Sequence, residues 1–289
     1  MPSLKEVKTR IASVNSTRKI TSAMKMVASS KLHRAQQAIE NMRPYEMQLD
    51  HIMQSFVANI DGDIESPYTR THEARRVALV LLTSNSSLCG GFNANAIKAL
   101  RKHVDHCRQE GIEVTKIITL GRKGHEAARK LGIATEDYSH LNDSPNYQAA
   151  TQIMAQLMDD YAHERIDKVE VIYHHFKSAA TQVLTQDTLL PISLPQEQAT
   201  EQGTLQNNYI LEPGPAQVVS ALLPKVLHLK LYTALLDSLA SEHAARVIAM
   251  QIATDNADEL LQELTLTYNK TRQQAITTEL LDIVGGSMH

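Results

Sequence analysis

Apolar residues in the first part of the chain recur at alternating three- and four-residue intervals. Leu4, Val7, Ile11 and Val14 begin the series, and Ala28, Leu32, Ala35, Ile39 and Met42 resume it in the same register. That is the heptad pattern of a helix that packs lengthwise on another helix. Ser3, with Glu6 three residues on, supplies a capping box for its start. Between the two apolar stretches the seam positions are Arg18, Thr21 and Lys25, while Ile20, Met24 and Val27 move to a neighbouring face. The spacing therefore predicts one long helix whose apolar heptad packing is suspended in its middle. A second heptad series runs through Leu222, Val226, Leu229, Leu236, Ala240, Val247, Met250, Ala257, Leu261, Leu264 and Tyr268, weakened by Thr233, His243 and Thr254. From Ala216 to Val284 there is no glycine and only one proline, Pro224, and Gly285-Gly286 is expected to stop the helix.

The segment between these helices changes period. Residues 76–84, 114–120 and 168–176 read as buried strands, and 181–192 as an edge strand. Helices are predicted over 93–108, with Asn93 as N-cap, and over 123–131 and 146–165. Strands alternating with helices argue a parallel, doubly wound, Rossmann-like sheet. Residues 61–73 and 195–208 read as linkers. The predicted architecture is α/β: an N-terminal coiled-coil helix (1–60), a Rossmann-like domain (74–194) and a C-terminal coiled-coil helix (209–286). The terminal helices are expected to pair antiparallel, with the α/β domain at one end. At the helical rise the first spans about 80 Å and the second about 100 Å, so the C-terminal helix should overhang by about 20 Å. From roughly Thr271 it would have no seam with its own chain, and Ile276, Leu280, Ile283 and Val284 would form a separate apolar stripe.

Composition narrows the functional classes. A chain of 289 residues exceeds the usual single unit, and the absence of Trp, with only 3 Phe and 11 Gly, favours helices. A net charge of -3 gives no global argument for nucleic acid or an anionic membrane. Cys89 and Cys107 lack CxxC spacing, which fits a reducing compartment. The first residues carry charge in every turn, no run approaches the roughly 18 apolar residues of a membrane span, and the chain is expected to be soluble.

Candidate chemistry is sparse. "SNSSLCGGFN" (84–93) joins a strand to a helix, as a phosphate loop does, but offers two adjacent glycines instead of GxGxxG or GxxxxGK[ST]. No acidic residue closes the second strand as a ribose site requires, so the loop reads as a turn. His103, His106 and Cys107 share a helix face and His174 adjoins His175, but with no CxxC pair they read as solvated histidines. No catalytic, cofactor-binding or metal-binding residue is predicted. Residues 1–45 hold nine basic residues against two acidic, and 241–284 three against seven. Opposite charge helps fix antiparallel pairing, and the basic excess around the polar seam also suits an acidic protein partner.

The terminal helices also carry a family likeness. "IASVNSTRKITSAMKMVASSKL" (11–32) and "SEHAARVIAMQIATDNADELLQELTLTYNKTRQQAITTELLDIVGG" (241–286) resemble the two terminal signatures of the gamma subunit of F-type ATP synthases, and "LCGGFN" resembles its strand-to-helix turn. The likeness spans the whole chain. It implies a non-catalytic rotor shaft inside a ring of three alpha and three beta subunits, with the α/β domain at the foot beside the epsilon subunit and the c-subunit ring. It further implies alpha/beta contacts at Arg18, Lys19, Met24, Lys25, Arg246, Arg272, Gln273, Ile276, Leu280 and Val284. Epsilon and c-ring contacts are implied at Tyr209, Leu211 and Glu212, in "NYILEP" (208–213). No cofactor is implied, ATP chemistry belonging to beta and alpha. With no transit peptide and no Cys-bearing insertion, the chain resembles the bacterial type: peripheral, on the cytoplasmic side of the plasma membrane, and held there only through the complex. Two other readings need features the sequence lacks. An α/β enzyme with coiled-coil arms needs a catalytic constellation, and a chromosome-organising coiled-coil protein needs Walker motifs.

Overall fold

The computed structural model describes residues 3–57, 66–70, 73–192 and 214–286. The chain forms two compact units, one of Met1–Ser30 with Arg246–His289 and one of Lys31–Ala245. Two long helices contribute to both: α1 (Leu4–Val57) and α5 (Pro215–Gly286). Ser3 and Glu6 cap α1 reciprocally: the Ser3 backbone N–H donates to Glu6 Oε2 at 2.8 Å, and the Glu6 N–H to Ser3 Oγ at 3.2 Å. Pro215 opens α5, where its missing N–H costs nothing.

The larger unit is built on a five-stranded sheet. Its strands are β1 (Arg76–Leu82), β2 (Glu113–Leu120), β3 (Ala134–Asp137), β4 (Lys168–Phe176) and β5 (Gln182–Leu190), in the order β3-β2-β1-β4-β5. β1 pairs parallel with β2 and β4, and β2 with β3, while β5 lies antiparallel on β4. The sheet is thus Rossmann-like with an antiparallel edge. β1 is buried on both faces, which is why its sequence is continuously apolar. Val77, Leu79 and Leu81 face helix α2 (Phe92–Gln109) and α3 (Arg122–Ala128). Ala78, Val80 and Leu82 face α4 (Tyr147–Ala162), the first half of α5, and Leu49 and Met53 of α1.

Packing against the sheet core explains why α5 is rich in apolar residues from Leu223 to Leu239, with Lys225 and Lys230 left on its exposed side. By length and composition one stretch of α5 could cross a membrane. That corrects the expectation that no such run exists, and burial of Leu223, Leu227, Leu231 and Leu235 in the sheet core accounts for its apolarity.

The smaller unit is an antiparallel pair of helical segments. Val7, Thr21 and Ala28 of α1 and Met250, Ala257 and Leu264 of α5 are buried along one seam. Pairing continues through the polar positions, where the spacing predicts that apolar heptad packing is suspended. Arg18 Nη1 meets Asp258 Oδ1 at 2.9 Å, the Thr21 and Thr254 hydroxyls lie 2.8 Å apart, and Lys25 Nζ donates to Gln251 Oε1 at 2.5 Å. Polar contacts take the place of apolar packing there.

Two local readings change. Asn93 does not cap α2; Gly91 occupies that position without a side-chain bond. β3 escaped notice because "ATED" is four residues long with no apolar period. α5 runs to Gly286, so its last described residues are the glycine pair expected to close it.

Candidate functional site

The loop at the carboxyl ends of β1 and β2 occupies the place where open α/β sheets bind ligands. Here its own polar groups close it. Asn93 Oδ1 accepts from the Ser84 N–H at 2.9 Å, and its Nδ2 donates to Ser84 Oγ at 2.7 Å and Cys89 Sγ at 3.2 Å. Asn85 Nδ2 donates to the Ser139 carbonyl and to Asp143 Oδ2, each at 3.0 Å, while Asn85 Oδ1 accepts from the Arg122 N–H at 3.0 Å. Gly121, with φ 135°, lets β2's end lie against Thr83; a Cβ there would come 2.1 Å from the Thr83 carbonyl oxygen. Such a filled corner is a scaffold, not a phosphate cradle.

The histidines are more engaged than a solvated reading allows. His103 Nε2 contacts Glu170 Oε2 at 2.5 Å, and its Nδ1 lies 2.9 Å from Gln186 Nε2. Lys168 Nζ holds the other Glu170 oxygen at 2.6 Å. Burial pushes the Glu170 carboxyl up, but the hydrogen bonds from His103 and Lys168 outweigh it and hold it below its ordinary range. His174 is 3% exposed and stacks on Phe92 with ring centroids 4.4 Å apart. Burial pushes its imidazole down to about 4. His175 Nδ1, half-exposed, meets buried Asp237 Oδ2 at 2.5 Å. These side chains pin α2 and α5 to β4 and β5. A glutamate at an inward position of a buried strand was the available signal, and its partners came from other elements.

The expected contact residues divide by exposure. Lys19 lies exposed and Met24 half-buried, near exposed Ile20 (60%) and Val27 (59%). Arg18 and Lys25 are half-buried in the polar seam, and Arg246 is buried at 8%. Thr271 is the last half-buried residue described on α5; Arg272, Gln273, Ile276, Leu280, Ile283 and Val284 are all exposed. The apolar stripe thus stands in the open, with Leu280 at 57% and Ile283 at 67%. Tyr209, Leu211 and Glu212 lie outside the described residues.

Comparison with known proteins is informative along the full length. The ATP synthase family model matches residues 3–288. The ATP synthase gamma chain of Phocaeicola vulgatus is 57% identical over 289 residues, covering 100% of both chains. That of Bacteroides thetaiotaomicron is 53% identical over 298 residues, again covering 100% of both. Among solved structures, the rotor of the Euglena gracilis mitochondrial ATP synthase superposes with a TM-score of 0.62 at 19% identity, covering 94% of this chain and 98% of that one. The central stalk of the Tetrahymena thermophila mitochondrial enzyme gives 0.56 at 23%, covering 81% and 99%. The structural likenesses bear on the fold and the sequence matches on kinship. On that evidence the chain belongs to the ATP synthase gamma-chain family, as a non-catalytic subunit of that complex.

Proposed function

We propose that this chain turns as the central shaft inside a ring of three alpha and three beta subunits, coupling ion flow through a c-subunit ring to ATP synthesis or hydrolysis at the beta sites. The observation that carries this reading is whole-length identity to gamma chains. Lys19 and Met24, beside the polar seam, face the ring, and Arg18 and Lys25 stand where an acidic partner can compete for them. Arg246, 8% exposed in this chain, is a further contact with the ring. Beyond Thr271, Arg272 and Gln273 supply polar contacts, while Ile276, Leu280 and Val284 run in an apolar sleeve as a bearing. Tyr209, Leu211 and Glu212 meet the epsilon subunit and the c ring. The complex is peripheral on the cytoplasmic side of a bacterial plasma membrane.

Purification of the native complex through a tag on this chain tests the assignment. One copy per three alpha and three beta subunits is expected; isolation of the chain alone, or as a homo-oligomer, contradicts it.

A further inference from the structure

The α2 face of the sheet carries a groove that the shaft function does not use. Parallel strands are joined by crossover helices, whereas an antiparallel hairpin needs none. Because β4 and β5 form a hairpin, that face has α2 and α3 over β1 and β2 but, among the described residues, no helix lying over β5 beyond the His103–Gln186 contact. Leu184 pairs with His174 and Gln186 with Ile172, so Leu184 and Gln186 lie on this uncovered face. Leu184 is 38% exposed.

The groove's floor includes Ile172, Glu170, Leu184 and Gln186, and its wall is the side of α2 from Asn95 to Glu110. That wall is about 22 Å long at the helical rise. The groove encloses about 1310 Å³, the volume of roughly three turns of helix. Along the wall Lys98 and Lys102, one turn apart, are exposed and form no ion pair among the described residues, and Arg101 stands on the same turn. Glu170, the carboxylate on the floor, is already held by His103 and Lys168 and does not answer those charges.

We propose that this groove docks an acidic amphipathic helix of a partner chain. Its apolar stripe would cover Leu184 and Ala99, completing the layer that the hairpin leaves open. Carboxylates one turn apart on its flank would meet Lys98 and Lys102, the spacing at which side chains on one helix share a face. Asp105 and Glu110 farther along the wall are paired with Arg108 and His106, so the unpaired cations lie toward the start of α2 and set the acidic end of the helix over Lys98 and Lys102.

The test compares the isolated full chain with the assembled complex. Lysine acetylation followed by mass spectrometry should find Lys98 and Lys102 several-fold slower to react in the complex. Zero-length carbodiimide cross-linking should join them to Asp or Glu residues one turn apart in another subunit. The double variant Lys98→Glu/Lys102→Glu should keep the fold by circular dichroism and lose those cross-links. Equal reactivity in both states overturns the proposal. So do cross-links confined to Glu197, Glu201 or Glu212 of the same chain, or to a second copy of it. If the chain never enters the complex, the shaft assignment fails; if it enters with Lys98 and Lys102 fully open, only the groove proposal fails.

Discussion

Thr21 and Thr254 face each other across the helix pair with their hydroxyl oxygens 2.8 Å apart. One hydroxyl donates across the seam and the other to its own helix, either Thr21 Oγ1 to the Arg18 carbonyl at 3.0 Å or Thr254 Oγ1 to the Met250 carbonyl at 2.8 Å. With Arg18–Asp258 and Lys25–Gln251 on either side, they form a polar layer in an otherwise apolar seam. A hydroxyl pair exchanged for two apolar groups of like shape leaves no orphaned donor. A seam kept polar costs little stability and leaves Arg18 and Lys25 able to change partners.

Replacing Arg18 and Lys25 with Ala should therefore leave helicity unchanged and cost about 1 kcal/mol or less, since both pairs are partly exposed. ATP made per ion translocated should fall in reconstituted vesicles. Collapse of soluble expression without a selective coupling loss counts against this view.

Deleting residues 277–289 removes Leu280 and Ile283 from the exposed stripe and touches no residue buried in the described seam. The truncated chain should melt as the full chain does, assemble more weakly, and still rotate with lower torque. A complex as stable as the parent contradicts the bearing role.

Leu211→Cys should form a disulfide cross-link to cysteines placed in the polar loops of the c subunit. Cross-links only to alpha or beta refute the foot assignment.

The capped start of α1, the buried strands and the exposed end of α5 were legible in sequence because each rests on local pattern: Ser3 with Glu6, an apolar run, a heptad that lapses after Tyr268. What sequence hid depends on groups far apart in the chain. Asn93 looks like a cap until Ser84 is brought to its side chain, and His103 looks solvated until β4 and β5 present Glu170 and Gln186. Arg18 and Lys25 look unpaired until the antiparallel register supplies Asp258 and Gln251.

Acid should weaken the larger unit in two windows. His174 titrates near 4 when folded, against 6.5 in an unfolded chain, so the unfolded state binds the extra proton between those values. Stability is then complete above pH 6.5 and declines toward pH 4, by up to ~3 kcal/mol. Glu170, depressed from 4.5, contributes stability above that value and loses it as pH falls further. His174→Phe should keep the stack on Phe92 and flatten the first decline in urea unfolding at pH 7 and pH 5. An unchanged slope rules His174 out.

Gly121→Ala meets both a positive φ and the Thr83 carbonyl, and should cost about 3 kcal/mol. Thermal melting of the variant checks this, and a shift of less than a few degrees argues that the corner relaxes.

The shaft assignment is tested most directly by watching the chain turn. Cys89 and Cys107 are buried, and Ala179 lies exposed in the β4–β5 turn, so Ala179→Cys offers a selective attachment point for a bead. With the alpha-beta ring fixed to a surface, ATP should drive one-way rotation of the bead in steps that track hydrolysis. Sustained hydrolysis with a bound but stationary bead would contradict the account.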